Sequence, residues 1–184
     1  MMRKIVVLSL SMLILFACSG CLYAVRYDGP YHGKVVDADT REPIEGVVVL
    51  GTWSVYHYDL AGGHHTYHDA RETVTDKNGE FSISGQGLRV MSSLEPMSAL
   101  IFKAGYSYYE SGTWTTIKEG LYSREQVKWE GDKAIFPLKK LTMEERKRQH
   151  ADKETIPDSK QKLLIKELNK EYKEIGTSLY PEGD

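Results

Sequence analysis

Four histidines fall within twelve residues of this chain, His57, His64, His65 and His68, with Asp59 and Asp69 among them. Imidazoles suit zinc, copper or nickel. A site would need three or four such groups converging at about 2.0–2.1 Å from one ion. Gly62 and Gly63 would let the loop fold back and bring His57 and His68 onto facing strands. The expectation is a polar, solvent-facing connection between strands, with weak transition-metal binding as the alternative. A second group, Tyr106, Tyr108, Tyr109 and Trp114, clusters around Gly105 and Gly112. Aromatics in loops stack on sugars or anchor a protein partner; they also fill the interior of small β-sandwiches. No H-x-x-E, H-E-x-x-H, G-x-S-x-G or G-x-x-x-x-G-K-[ST] pattern occurs, so the chain offers no peptidase, hydrolase or nucleotide-binding signature. No catalytic residue is expected.

The two cysteines, Cys18 and Cys21, suit a different chemistry. Arg3 and Lys4 precede an uncharged, mostly apolar stretch over 5–16, the pattern of a secretory signal. That stretch is too short to span a bilayer comfortably. It ends in Leu15-Phe16-Ala17-Cys18, followed by Ser19-Gly20-Cys21. This resembles the lipobox of bacterial lipoproteins, in which a cysteine after a small residue becomes the acylated N-terminus. Cys18 fits better, with Leu15 three residues before it; Cys21 is the alternative. Cys-x-x-Cys is also a redox motif, but such a motif needs a helix N-terminus inside a folded domain to depress the thiol pKa. Two or three acyl chains would hold a protein stably on a membrane.

The rest of the chain divides in two. Over 31–141 it reads as β structure, with strands expected at 33–37, 44–58, 66–75, 80–84, 99–103 and 134–138. These are rich in β-branched and aromatic residues and separated by turn signals such as Asp76-Lys77-Asn78-Gly79. No long helix-period segment precedes Thr142. The tail, 142–184, is highly charged, and Tyr172 and Tyr180 are its only aromatics. Thr142-Met143-Glu144-Glu145 is a capping-box start, and Asp158-Ser159-Lys160-Gln161 resembles a second. Leu164, Leu168, Tyr172 and Ile175 make one apolar stripe that should pack on the sandwich or the first helix, and Gly176 is a plausible C-cap.

One constellation carries a family resemblance. Gly33-Lys34-Val35-Val36-Asp37 is followed by Arg41-Glu42-Pro43-Ile44-Glu45-Gly46-Val47, then by Thr73-Val74-Thr75-Asp76-Lys77-Asn78-Gly79-Glu80-Phe81-Ser82-Ile83. It resembles the carboxypeptidase-regulatory-like domain, with Val47 where the family often has Ala. The residues have scaffold roles. Pro43 fixes φ, Gly46 permits a bulge or close approach, and Asp76 bonds turn amides. Asn78 and Gly79 suit positive φ in a hairpin, and Phe81 returns to the core. The resemblance implies a transthyretin-like β-sandwich and an accessory, non-catalytic role. Intradiol dioxygenases share that sandwich, and the stretch from Trp53 faintly resembles theirs, with Tyr56, Tyr58 and Tyr67 as candidate iron ligands. The H-x-H pair of that family is absent.

The expectation is therefore a mainly β protein, an antiparallel transthyretin-like (Ig-like) sandwich with a two-helix C-terminal tail. Its parts are a lipoprotein signal and anchor (1–21), the sandwich (22–141) and the charged tail (142–184). The formal charge of −2 excludes a generally basic nucleic-acid binder. The expected setting is the cell envelope, lipid-anchored and facing periplasm or exterior. The expected role is a structural or binding module for an envelope protein or polysaccharide, with no cofactor beyond weak transition-metal binding.

Overall fold

The computed structural model describes residues 25–59, 62–119 and 127–181. It is mainly β. One four-stranded sheet has the order β5-β2-β10-β9, from β5 (Glu80–Ile83), β2 (Tyr31–Asp37), β10 (Lys133–Leu138) and β9 (Lys128–Glu130). The other has the order β4-β3-β7-β8, from β4 (Gly62–Val74), β3 (Val48–Asp59), β7 (Ser98–Phe102) and β8 (Tyr109–Thr113). A two-stranded ribbon, β1 (Val25–Asp28) with β6 (Gly87–Val90), stands beside them. Pairing is antiparallel except that β10 runs parallel to β2, Val35 opposite Phe136. A parallel pair joins strands distant in sequence, which no local turn signal announces.

The sheets pack face to face. Val35, Phe81, Ile83, Ala134 and Phe136 from one, and Val49, Trp53, Ala99, Ile101 and Tyr109 from the other, form a single buried cluster. The chain crosses between the sheets at the Asp76–Gly79 turn, so this turn is not the hairpin expected from its residues. Its chemistry is otherwise as read. Asp76 Oδ1 accepts from the amides of Asn78 (2.9 Å) and Glu80 (2.8 Å). Gly79 alone takes a positive φ, of 72°, and a Cβ there would lie 2.4 Å from the Val35 carbonyl oxygen. At Gly33 a Cβ would meet the Phe81 ring at 2.3 Å, so β2 needs glycine to admit that ring. Pro43 bridges to Val36, Gly46 sits at φ 72°, and Phe81 is buried.

The tail closes the outer face of the second sheet. Val48, Leu50, Leu100 and Phe102 point away from the first sheet and meet Ala151, Leu164 and Leu168 in a second buried cluster. Helix α2 (Met143–Arg148) starts with the expected capping box, Thr142 with Glu145. Helix α3 (Lys162–Ile175) starts later than its sequence suggests. Residues Asp158–Lys160 form a 3-10 turn, and Gln161 at the N-cap makes no side-chain capping bond. The cap comes instead from β4. The Glu72 carboxylate accepts from the amides of Leu163 (2.9 Å) and Leu164 (2.7 Å), a negative charge at the positive end of the helix dipole. Gly176 ends the helix in the left-handed region. A short helix absent from the sequence reading, α1 (Trp114–Glu119), follows β8. Among the described residues no helix is long and apolar enough to cross a membrane.

Candidate functional site

The β3–β4 hairpin outruns its sheet. β7 pairs only with Val48 to Thr52, while the two hairpin strands stay paired out to Asp59 and Gly62. The outer half is thus a two-stranded arm, and all four clustered histidines are on it. Strand alternation divides them. His57 pairs with His64, not His68, and the two rings stack at 5.1 Å. His57 Nε2 reaches Thr66 Oγ1 at 2.8 Å, and His64 Nδ1 reaches Asp59 Oδ2 at 3.2 Å. His65 lies on the opposite face, opposite Tyr56, with its Nδ1 2.7 Å from Glu95 Oε2. His68 is the extra residue of a bulge between the Trp53–Asp69 and Ser54–Tyr67 pairs. The structure therefore joins His57 to His64 and separates both from His65 and His68. Among the described residues, no three His, Cys, Asp or Glu side chains are placed to hold one metal ion.

The aromatic group 106–114 also lies elsewhere than a binding face. Tyr109 and Trp114 are buried in the inter-sheet core, where the Trp114 ring meets Tyr31 at 5.2 Å and Tyr109 meets Phe136 at 5.0 Å. Tyr106 packs on that core, whereas Tyr108 packs on the second cluster, under the tail. Interior packing claims Tyr109 and Trp114, which begin β8 and α1, and leaves Tyr106 and Tyr108 half-buried. Cys18 and Cys21 lie outside the described residues.

A cleft of about 860 Å³ lies beside the arm. One wall is the arm's tyrosine face, where Tyr56 meets Tyr58 edge-on at 4.6 Å and His65 at 5.0 Å. The floor is the segment 91–96, which hydrogen-bonds along β3 through Tyr56 N to Ser93 O (3.1 Å) and Glu95 N to Ser54 O (2.8 Å). Arg26 and Arg89, directly opposite each other in the β1–β6 ribbon, make the other wall.

Buried polar contacts hold that ribbon in place. Asp28, at the end of β1, is buried and accepts hydrogen bonds from Tyr31 Oη, Trp53 Nε1 (2.9 Å) and Gln86 N (2.7 Å). Gln86 Nε2 donates to Asp69 Oδ2 (2.9 Å), and its Oε1 accepts from Arg89 Nη2 (3.3 Å). Burial alone would raise the Asp69 pKa, but hydrogen bonds from Lys160 and Gln86 outweigh it and hold the carboxyl at about 2. Burial, then the bond to Asp28, pushes the Tyr31 phenol well above its ordinary value.

The sequence reading missed Arg26, Arg89, Gln86 and Asp28, and weighed Tyr56 and Tyr58 only as iron ligands. Period-2 alternation in Val25-Arg26-Tyr27-Asp28 and Leu88-Arg89-Val90 was a legible strand signal. Their pairing was not. The cleft offers two cations, flat rings, the Ser92 and Ser93 hydroxyls and a His65–Glu95 pair. Comparison of the chain with protein-family models, curated proteins and solved structures finds no match.

Proposed function

We propose that this protein is a lipid-anchored component of the bacterial cell envelope. In this reading its sandwich, of the transthyretin-like carboxypeptidase-regulatory type, serves as a non-catalytic binding module with the Tyr56–Arg89 cleft as its binding site. The observation that carries the binding role is the cleft itself. It sets an aromatic wall against a cationic one over a pocket large enough for a small ligand. The fold assignment draws support from the two face-to-face sheets and from Gly33, Asp76, Gly79 and Phe81 in scaffold positions.

The anchor draws support from the ribbon. Val25 pairs with Val90 and Tyr27 with Leu88, so all four share one face, and each is exposed. An exposed apolar face invites an explanation. Here it lies seven residues after Cys18, where an acylated chain would leave the bilayer.

Two experiments test the parts separately. A fatty-acid analogue fed to cells should label the protein, and Cys18→Ser should abolish the label. Loss with Cys21→Ser instead moves the site by three residues; label retained in both variants refutes the anchor. Purified protein should be retained on immobilised envelope polysaccharide, and Tyr56→Ala with Tyr58→Ala should release it. Equal retention of that variant refutes the cleft as the binding site.

A further inference from the structure

The cleft's charge is arranged for an anion. Arg26 faces Arg89 across the ribbon, and like charges directly opposite each other destabilise a strand pair. Among the described residues, neither arginine enters an ion pair. Arg89 Nη2 has only a long bond to Gln86, and Arg89 Nε is sealed from solvent with no hydrogen-bond partner. Two arginines that line one cleft suit a carboxylate or phosphate, which accepts paired N–H bonds from guanidinium groups. The one carboxylate in the lining, Glu95, is engaged by His65.

The opposite wall adds a second requirement. Tyr58 is 86% exposed, an unusual cost for a large ring, and it meets Tyr56 edge-on. Exposed tyrosines beside hydroxyls and apolar side chains form amphipathic surfaces, suited to a ring with one apolar face and a polar rim. Ser92, Ser93, Leu94 and Pro96 supply both kinds of contact below.

We infer that the cleft binds an acidic sugar unit of an envelope polysaccharide, a pyranose bearing a carboxylate or phosphate. Arg26 and Arg89 take the anion, and Tyr58 stacks on the ring. This rests on the binding-module reading and names its ligand class. A phospholipid headgroup shares the anion but fits the placement less well. The arginines and the exposed apolar residues occupy opposite faces of the ribbon by alternation, so a bilayer met by Val25, Tyr27, Leu88 and Val90 lies behind the cleft.

The test is calorimetric titration of the full-length protein in detergent. The probes are a short oligogalacturonate, its methyl-esterified neutral form, a phosphorylated hexose, inorganic phosphate and, with the protein transferred from detergent to neutral phosphatidylcholine bilayers, phosphatidylglycerol vesicles. At least one acidic sugar should bind, with the neutral form at least about tenfold weaker. Arg26→Gln and Arg89→Gln should each weaken the acidic sugar by about tenfold to a hundredfold, the range for losing a charge-assisted bond. Tyr58→Ala should weaken acidic and neutral forms alike. Arg26 is exposed at the rim, so its variant decides the matter if Arg89→Gln fails to fold. Equal binding of acidic and neutral sugars overturns the inference while sparing the binding module. Binding of phosphate or vesicles as tight as the sugars overturns it too. Sugar binding indifferent to all three variants, or no binding by any acidic sugar, overturns it and the cleft assignment together.

Discussion

Removing the Asp28 carboxylate should detach the ribbon from the sandwich. Asp28 is 6% exposed and Trp53 fully buried. Asp28→Ala strands the Trp53 indole N–H and the Tyr31 hydroxyl without their acceptor and frees the Gln86 amide. A hydrogen bond to a charged group contributes about 1.5–3 kcal/mol. The three share one carboxylate and do not add, so the expected loss is about 3–5 kcal/mol, the range for breaking a buried charged network. For a chain of this size each kcal/mol moves Tm by about 2–4 °C, which gives a drop of about 6–20 °C. Thermal and urea denaturation followed by circular dichroism measure it. Tyr31→Phe leaves the other two bonds to Asp28 in place, removes the acceptor of the Met97 amide as well (3.2 Å), and should cost about 1–2 kcal/mol. Hydrogen exchange should show the β1 and β6 amides deprotected in Asp28→Ala, while β3 and β7 remain protected. A loss below about 1 kcal/mol, or one no larger than that of Tyr31→Phe, would refute the idea that Asp28 ties the ribbon down.

Three further outcomes are expected. Arg146 holds Glu171 through two bonds, Nε to Oε1 at 2.8 Å and Nη2 to Oε2 at 2.6 Å, both side chains being nearly sealed from solvent; Glu171→Gln should cost about 3 kcal/mol, and Arg146→Met with Glu171→Leu should recover only part of it, because the Gly105 amide also loses Glu171 as its acceptor (2.8 Å), as denaturation midpoints will show. Asp69 and Glu145 both titrate at about 2 in the folded protein, Glu145 chiefly through its hydrogen bond from Lys139. Folded values below the ordinary carboxylate range mean stabilisation that is complete above about pH 4.5 and lost as pH falls toward 2; Asp69→Asn should flatten the stability–pH curve in that window, and a curve parallel to wild type contradicts the assignment. Gly33→Ala drives a methyl into the Phe81 ring and should cost about 1–3 kcal/mol, with Phe81→Leu in the same chain restoring part of the melting temperature.

Elements governed by neighbours in sequence were readable in advance. The Thr142–Glu145 box, the Leu164-Leu168-Tyr172-Ile175 stripe and the Gly176 cap depend on residues within a few positions of one another, and they stand where the pattern placed them. The same holds for strands such as Glu80–Ile83 and for the bonding inside the Asp76 turn, though that turn joins two sheets and closes no hairpin. The start of α3 did not follow its own sequence. Glu72, about ninety residues upstream, caps it, and a capping-box pattern at 158–161 became a 3-10 turn instead. The histidine cluster shows the limit from the other side. Nearness in sequence suggested convergence, but strand alternation and one bulge sent His57 and His64 to one face, His65 to the other and His68 out of register.

The residue order alone settled a mainly β chain, its turn chemistry and the amphipathic tail, because local dihedral preference and apolar periodicity act over a few residues. Tertiary structure decided where the sheets meet, that β10 runs parallel to β2, that Tyr109 and Trp114 are interior while Tyr106 and Tyr108 are half-buried, and that Arg26 stands opposite Arg89. Those outcomes come from contacts between residues tens of positions apart. Their energy depends on which surfaces are buried together, and no local pattern in the chain encodes that.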